Sequence, residues 1–378
     1  MFQNTAAPPD LVQSREALAE LVEELGSQPQ IAVDTESNSL HAYRERVCLM
    51  QFSTLKRDYV LDTLAVQDVG PLRSIFGDPR IQKIFHAAEY DILCLRRDYG
   101  FTFSNIFDTM QAGRILGRKM AGLDRLIDEK FGVKVDKRLQ KANWGTRPLS
   151  PELLQYAAQD THYLIPLKDI LEAELRDKGL LELAQEDFRM ACNHHNQEQR
   201  HRLESAGWPR LSTRRDLSTR ELTILKELLE WREGIATRLD RPPFKVISEE
   251  HLIAIARAQP RGREDLGALG LGERQARQWG SDLLEAVARG LRNPLVQKAR
   301  PVPPTAAYLR RLEKLKEWRK KAAAGMEVES DVVLPRGLLL ALADRGAQDV
   351  DAIMRSSPWR LRRFGDQISA VLQAVPAQ

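Results

Sequence analysis

Residues 31–36 read IAVDTE, a short apolar run of β character that ends in two acids. Side chains alternate faces along a strand. Asp34 and Glu36 therefore share one face, and Thr35 takes the other. Carboxylates are costly to desolvate unless something positive meets them. Such a local inconsistency is expected at functional sites, although the motif taken alone is better read as the exposed end of an edge strand.

Working outward, REALAELVEELG (15–26) predicts an amphipathic helix that stops at Gly26. VCLMQFST (47–54), YVLDTL (59–64) and IQKIFHA (81–87) read as further strands. The last runs into AEYDILCLRRDYG, a helix stopped near Gly100. FTFSNIFDT is extended chain entering a helix, TMQAGRILG. Residues 151–177 are helical, with Pro151 in the first turn and Pro166 as a break or kink. No strand signal follows about residue 110. The pattern predicts an α/β domain with a mixed sheet.

From about residue 206 the pattern is all-helical and contains a repeat. LKELLEWRE (225–233) resembles LKEWRK (315–320), which matches Trp231 to Trp318. VISEEHLIAIA (246–256) aligns with VLPRGLLLALA (333–343), and QWGSDLL (278–284) with RFGDQIS (363–369). A proline-rich stretch separates the copies. The expected plan is an α/β domain over 1–205, helical bundles over 210–292 and 305–378, and a linker over 293–304. At matched repeat positions Trp231 and Trp318 read as core anchors rather than base-stacking platforms.

The 378 residues are 43% hydrophobic and 29% charged, an ordinary globular composition. Residues 1–205 carry 26 basic and 31 acidic side chains, and residues 206–378 carry 31 and 22. That asymmetry suits either a polyanionic partner or a well-solvated surface. Three cysteines, Cys48, Cys94 and Cys192, argue for a reducing compartment. No secretory signal or membrane-spanning run is visible, so a soluble cytoplasmic protein without membrane association is expected. Cys192, His194, His195 and His201 lack a metal-ligand spacing. No nucleophile elbow and no phosphate-binding glycine loop occur.

Two further acids join the first pair. Tyr156 and Asp160 are four apart, one turn apart on one helix face. Asp91 lies in the first turns of a helix directly after a strand. A cluster of Asp34, Glu36, Asp91 and Asp160 would repel itself, and oxygen donors suit hard cations such as Mg²⁺ or Mn²⁺. Two such ions ~3.5–4 Å apart can activate water and stabilise a leaving oxyanion in phosphodiester cleavage.

VDTE, FHAAEYD and YAAQD resemble the three exonuclease motifs of the DEDD superfamily, in the branch with a tyrosine in its third motif. The surrounding VCLMQFST, YVLDTL, NIFDTMQAGRILG and WGTRPLSPELLQYAAQD look like the ribonuclease D family, over roughly residues 28–200. The helical repeats resemble HRDC domains, the first copy more clearly. One departure is Asn143-Trp144, where relatives often have Asp-Trp.

The resemblance implies a ribonuclease H-like mixed sheet flanked by helices, followed by two all-α bundles. It also implies two divalent cations. Asp34 would bridge them, Glu36 and Asp160 would hold the ion beside the nucleophilic water, and Asp91 the other. Tyr156 would orient the nucleophile. Thr35, His86 and Arg147 are candidate substrate contacts, and Asp108 a cap for the next helix. Residues 101–150 hold ten basic and five acidic residues, either a phosphate-holding wall or an ordinary solvated surface.

The expected activity is 3′→5′ exoribonucleolytic release of nucleoside 5′-monophosphates, with tRNA precursors bearing a single-stranded 3′ end as first substrate. No oligomer is predicted. The alternatives are a 3′→5′ DNA exonuclease and a non-catalytic nucleic-acid-binding protein.

Overall fold

A computed structural model describes residues 8–193, 208–298 and 303–375. Histidines 194, 195 and 201 and part of the proline-rich linker lie outside the described residues. The described residues form two compact units. One draws on Met1–Ser37, Arg46–His194 and Pro304–Gln378, the other on Asn38–Glu45 and His195–Pro303.

The first unit is built on a six-stranded sheet in the order β1-β4-β3-β2-β5-β6. Its strands are β1 (Asp10–Val12), β2 (Gln30–Ser37), β3 (Val47–Ser53), β4 (Asp58–Asp62), β5 (Gln82–Phe85) and β6 (Ile106–Asp108). β2 pairs antiparallel with β3 and parallel with β5. β3 and β4 are antiparallel, while β1–β4 and β5–β6 are parallel. The sheet is therefore mixed, as expected, with IAVDTE on an inner strand. It is not an edge strand, so the bland reading of that motif does not hold.

The helices of this domain are α1 (Arg15–Gly26), α2 (Arg73–Gly77), α3 (Glu89–Tyr99), α4 (Thr109–Ile115), α5 (Leu123–Phe131), α6 (Pro151–His162), α7 (Leu164–Asp177) and α8 (Leu181–Asn193). Ser14 caps α1 by accepting the Ala17 N–H at 3.1 Å. Ser150 does the same for α6, whose first residue is Pro151. The break between α6 and α7 falls at Tyr163, just ahead of Pro166.

Alternation along β2 divides the core. Ile31 and Val33 pack with Leu18, Leu21, Ile92 and Leu95, on the side of α1 and α3. Ala32 packs with Ile84, Phe107, Leu164 and Leu167, on the side of α7. Each such buried aliphatic side chain contributes roughly 1.5–3 kcal/mol. β1 was not anticipated. It runs beside β4, with Asp10 opposite Tyr59, and three residues are too few to show a period.

The second helical bundle belongs to the same compact unit as this sheet. Arg360 is wholly buried and forms two hydrogen bonds to Asp187 of α8 at 2.7 and 3.0 Å. It also lies 3.7 Å from Glu186 and donates to the Val332 carbonyl. Glu186 in turn accepts the Trp359 backbone N–H. Arg114 of α4 reaches Glu329 at 2.5 Å and Asp331 at 2.7 Å. Gly117 sits so near the Glu327 carbonyl that a Cβ there would lie 2.7 Å from the oxygen.

The first bundle, in the other unit, is led by helices Thr219–Leu239 and Glu273–Arg292. Ser218 and Glu221 form a reciprocal capping box at its start. The segment after β2 belongs to this unit: the Tyr43 hydroxyl donates to Glu233 at 3.0 Å.

The repeat is visible in matched contacts. Trp231 meets Trp279 edge-on at 5.9 Å and donates to Asp282. Trp318 meets Phe364 edge-on at 5.6 Å and donates to Gln367, the aligned position. Both tryptophans pack against their bundle cores, as their repeat positions predict. Among the described residues no helix is long and apolar enough to cross a membrane, and no strand follows β6.

Candidate active site

The acids come from three elements that the sheet brings together. In register, Asp34 lies opposite Gln51 and Glu36 opposite Leu49. Leu49 packs with Tyr156, Ala157 and Ala158 of α6, so the acidic face of β2 is the face that α6 covers. The pairing of β2 and β3 shifts register immediately after Glu36. Thr35 points the other way, towards α3, where its hydroxyl donates to Asp91 Oδ1 at 2.5 Å. The alternation predicted for Asp34, Thr35 and Glu36 is thus present, and the odd-face residue ties the second motif to the first.

Asp91 stands in the first turn of α3, where the positive end of the helix favours an acid. The turn before it is held from below. Ala87 adopts a left-handed φ of 62°. Its N–H and that of Ala88 both donate to Asp108, at 3.1 and 2.8 Å. Asp108 also accepts from Met110 and Gln111, so it caps α4 as expected and fixes the approach to α3 as well. His86 contacts the Thr109 hydroxyl through Nδ1 at 2.9 Å, and burial holds its pKa below the ordinary value.

α6 is pinned to the sheet beside its acid. The Ser53 and Thr161 hydroxyls are hydrogen-bonded at 2.7 Å, and His162 contacts Asp58 at 2.8 Å. Tyr156, one turn before Asp160, is 8% exposed. Its ring lies 6.0 Å from that of buried Trp144, the residue whose neighbourhood departs from the family pattern.

The electrostatics are those of a cluster lacking enough positive charge. Burial raises Glu36 to about 10, with Asp34, Asp160 and Asp91 adding repulsion. Burial likewise lifts Asp160 to about 7, opposed only by Lys137. Asp34 is raised well above the carboxylate range by burial and then by Asp160. Asp91 is raised by burial and then by Asp34. Tyr156 is pushed up by burial, then by Asp160, Glu36 and Asp34, and stays protonated. These mutual effects place the four acids and the tyrosine in one field. Among the described residues no three His, Cys, Asp or Glu side chains are gathered tightly enough to hold an ion. The donor set nonetheless fits hard cations: oxygen ligands, half-buried or buried, several of which destabilise one another's charge.

Arg147, a candidate phosphate contact, is committed within the chain. Its guanidinium grips Asp62 through two bonds of 2.7 Å and also donates to the Trp144, Thr146 and Cys48 carbonyls. Much of the surrounding basic segment is likewise paired. Arg118 meets Glu129 and Glu174, Lys134 meets Asp128, Lys137 meets Asp124, and Arg138 meets Asp136. The solvated-surface reading of residues 101–150 fits these pairs better than a free phosphate-binding wall. The Thr35–Asp91 bond and the Trp144–Tyr156 contact were not anticipated. Both are long-range pairings, and only the odd-face position of Thr35 hinted at the first.

The chain matches the family model described as a 3'-5' exonuclease over residues 9–176, and the HRDC domain over 221–287 and 309–372. It is 28% identical to Ribonuclease D of Pseudomonas paraeruginosa, over 95% of this chain and 96% of that protein. The crystal structure of Escherichia coli RNase D superposes with a TM-score of 0.71 at 25% identity, covering 98% of this chain and 100% of that one. This chain belongs to the ribonuclease D family. It is also 34% identical to Protein RRP6-like 2 of Arabidopsis thaliana, over 67% of this chain but only 30% of that relative. The chain thus spans under a third of that relative's length. The exonuclease match covers β1 to α7, and the two HRDC matches fall one on each helical bundle.

Proposed function

We propose that this member of the ribonuclease D family is a 3′→5′ exoribonuclease that releases nucleoside 5′-monophosphates from RNA ends by two-metal hydrolysis. The observation carrying this reading is that Asp34, Glu36, Asp91, Asp160 and Tyr156 share one electrostatic field without adequate counter-charge. Asp34 would be common to two Mg²⁺ or Mn²⁺ ions, Glu36 and Asp160 would hold the one beside the nucleophile, and Asp91 the other. When bound, such ions lower the pKa of water and balance charge on the leaving oxygen.

The chain's own groups do the rest. Tyr156 keeps its proton, so its hydroxyl can donate while a lone pair accepts, which orients a water for in-line attack. Thr35 holds the Asp91 carboxyl by its Oδ1. The Ser53–Thr161 bond fixes the turn of α6 that carries Asp160.

The Escherichia coli relative is an exoribonuclease involved in structured RNA processing. By extension we propose tRNA precursors with a single-stranded 3′ end as the first substrate here, in the cytoplasm. Asp34→Ala or Asp160→Asn should abolish divalent-ion-dependent release of monophosphates from labelled RNA. Mutants that digest as well as wild type would remove the site. Parallel digestion of a tRNA precursor, unstructured RNA and single-stranded DNA separates RNA from DNA preference. Anchoring of the RNA body is proposed for the first helical bundle. Charge reversals there test it better than truncation at residue 206, which would strip Asp187 of Arg360.

A further inference from the structure

Gln51 is the least explained side chain near the site. It is wholly buried, yet neither its Oε1 nor its Nε2 has a hydrogen-bond partner among the described residues. Buried polar atoms left unpaired cost roughly 1–3 kcal/mol each. Nothing about the surrounding packing calls for an amide. Leu49 and Val60 flank it on the same face, and α6 lays the small residues Ala157, Ala158 and Thr161 over this part of the sheet. A leucine or methionine would fill the space without the polar cost. Ser53, two residues on, has the opposite character: its hydroxyl is fully engaged by Asp58 and Thr161.

Register explains what the amide could serve. Gln51 lies directly opposite Asp34 in the antiparallel β2–β3 pair. Opposed residues share a face, with Cβ atoms about 4.5–5.5 Å apart. A carboxamide at that distance reaches a carboxylate oxygen directly or through one buried water. Asp34 is itself half-buried, and the hydrogen-bond partner the structure gives it is the Thr35 backbone N–H. A second donor would fix the carboxylate's orientation, as outer partners of metal-binding carboxylates do.

We propose that Gln51 is a positioning residue for Asp34. Its Nε2–H, unpartnered in this structure, would donate to the Asp34 carboxylate once that acid is ionised, directly or through one buried water, and hold it turned towards the face it shares with Glu36. The inference rests on the function proposed above. Gln51 touches neither substrate nor ion and acts only through Asp34.

The test compares Gln51→Met and Gln51→Leu with wild type and with Asp34→Asn in the full chain. Three quantities are read: the melting midpoint in chelator, the Mn²⁺ affinity by titration calorimetry without RNA, and kcat and KM on a labelled oligoribonucleotide. Removing two unpaired atoms should raise the midpoint in chelator. Mn²⁺ should bind about 10–100-fold more weakly, and kcat should fall by a similar factor with KM unchanged. If both apolar variants bind Mn²⁺ and turn over within about twofold of wild type while Asp34→Asn is inactive, the role of Gln51 is refuted and the site stands. If Asp34→Asn itself binds Mn²⁺ and digests RNA normally, the underlying site is refuted. Gln51→Leu keeps the contrast available should the methionine variant not fold.

Discussion

Glu36→Gln converts a catalytic candidate into a probe of how much strain the acid cluster stores. Burial and three neighbouring acids raise the Glu36 carboxyl to about 10, against an ordinary 4.5. The sign follows from proton counting. Between those two values the native state holds a proton that the unfolded chain has released, so stability falls as pH rises. The slope is about 1.4 kcal/mol per pH unit, which accumulates to about 5 kcal/mol by about pH 8. Glutamine has nearly the same shape and no charge to suppress, so it escapes this cost.

Thermal denaturation in chelator, run at about pH 5 and about pH 8, reads the difference. Near pH 5 the two proteins should melt within a few degrees of one another. Near pH 8 the variant should melt about 10 °C higher, at 2–4 °C for each kcal/mol. With saturating Mn²⁺ the order should reverse, because the ion stabilises only the protein that binds it. Monophosphate release should be lost throughout. A gap in chelator that does not change between the two pH values would refute the reasoning, whatever the variant's activity.

Arg360→Ala should cost about 3–5 kcal/mol in urea unfolding, since it leaves Glu186 and Asp187 facing a buried gap. A loss under about 1 kcal/mol would mean that the second bundle does not depend on this ion cluster. Gly290→Ala should destabilise the first bundle by about 1–3 kcal/mol, because its Cβ would fall 2.5 Å from the Ile224 Cα. Gly234→Ala, with no neighbour within 4 Å, should leave stability unchanged or raise it by up to about 1 kcal/mol, and serves as the control. Arg147→Ala should lower stability by about 3–5 kcal/mol, because Asp62 is almost wholly buried beneath it. The KM for RNA should not change, and a raised KM with stability intact would restore the substrate role.

The site was legible where it depends on local periodicity. Alternation in β2 put Asp34 and Glu36 on one face, and the i, i+4 spacing put Asp160 one turn from Tyr156. α1 occupies the residues its apolar spacing marks, Arg15–Gly26. What stayed hidden depends on which distant segments meet. Thr35 reaches Asp91 across 56 residues, and Arg360 reaches Asp187 across 173. One arginine among 57 basic residues carries no mark of burial. Arg147 shows the same limit: its nearness in sequence to α6 was visible, but its partner Asp62, at the end of β4, was not. Gln51 reads as any strand residue until its opposite number is known.

The place of the register shift in β2 bears on how this chain can change length over time. A slip of one residue turns every side chain of a strand to its other face. Losing or gaining a single residue between Gln30 and Asp34 would deliver Thr35 to α6 and send both acids towards α3. Beyond Glu36 the ladder already breaks step, so a length change there reverses nothing upstream. Insertions and deletions should therefore be tolerated after Ser37 and purged before Asp34, even where hydropathy is preserved.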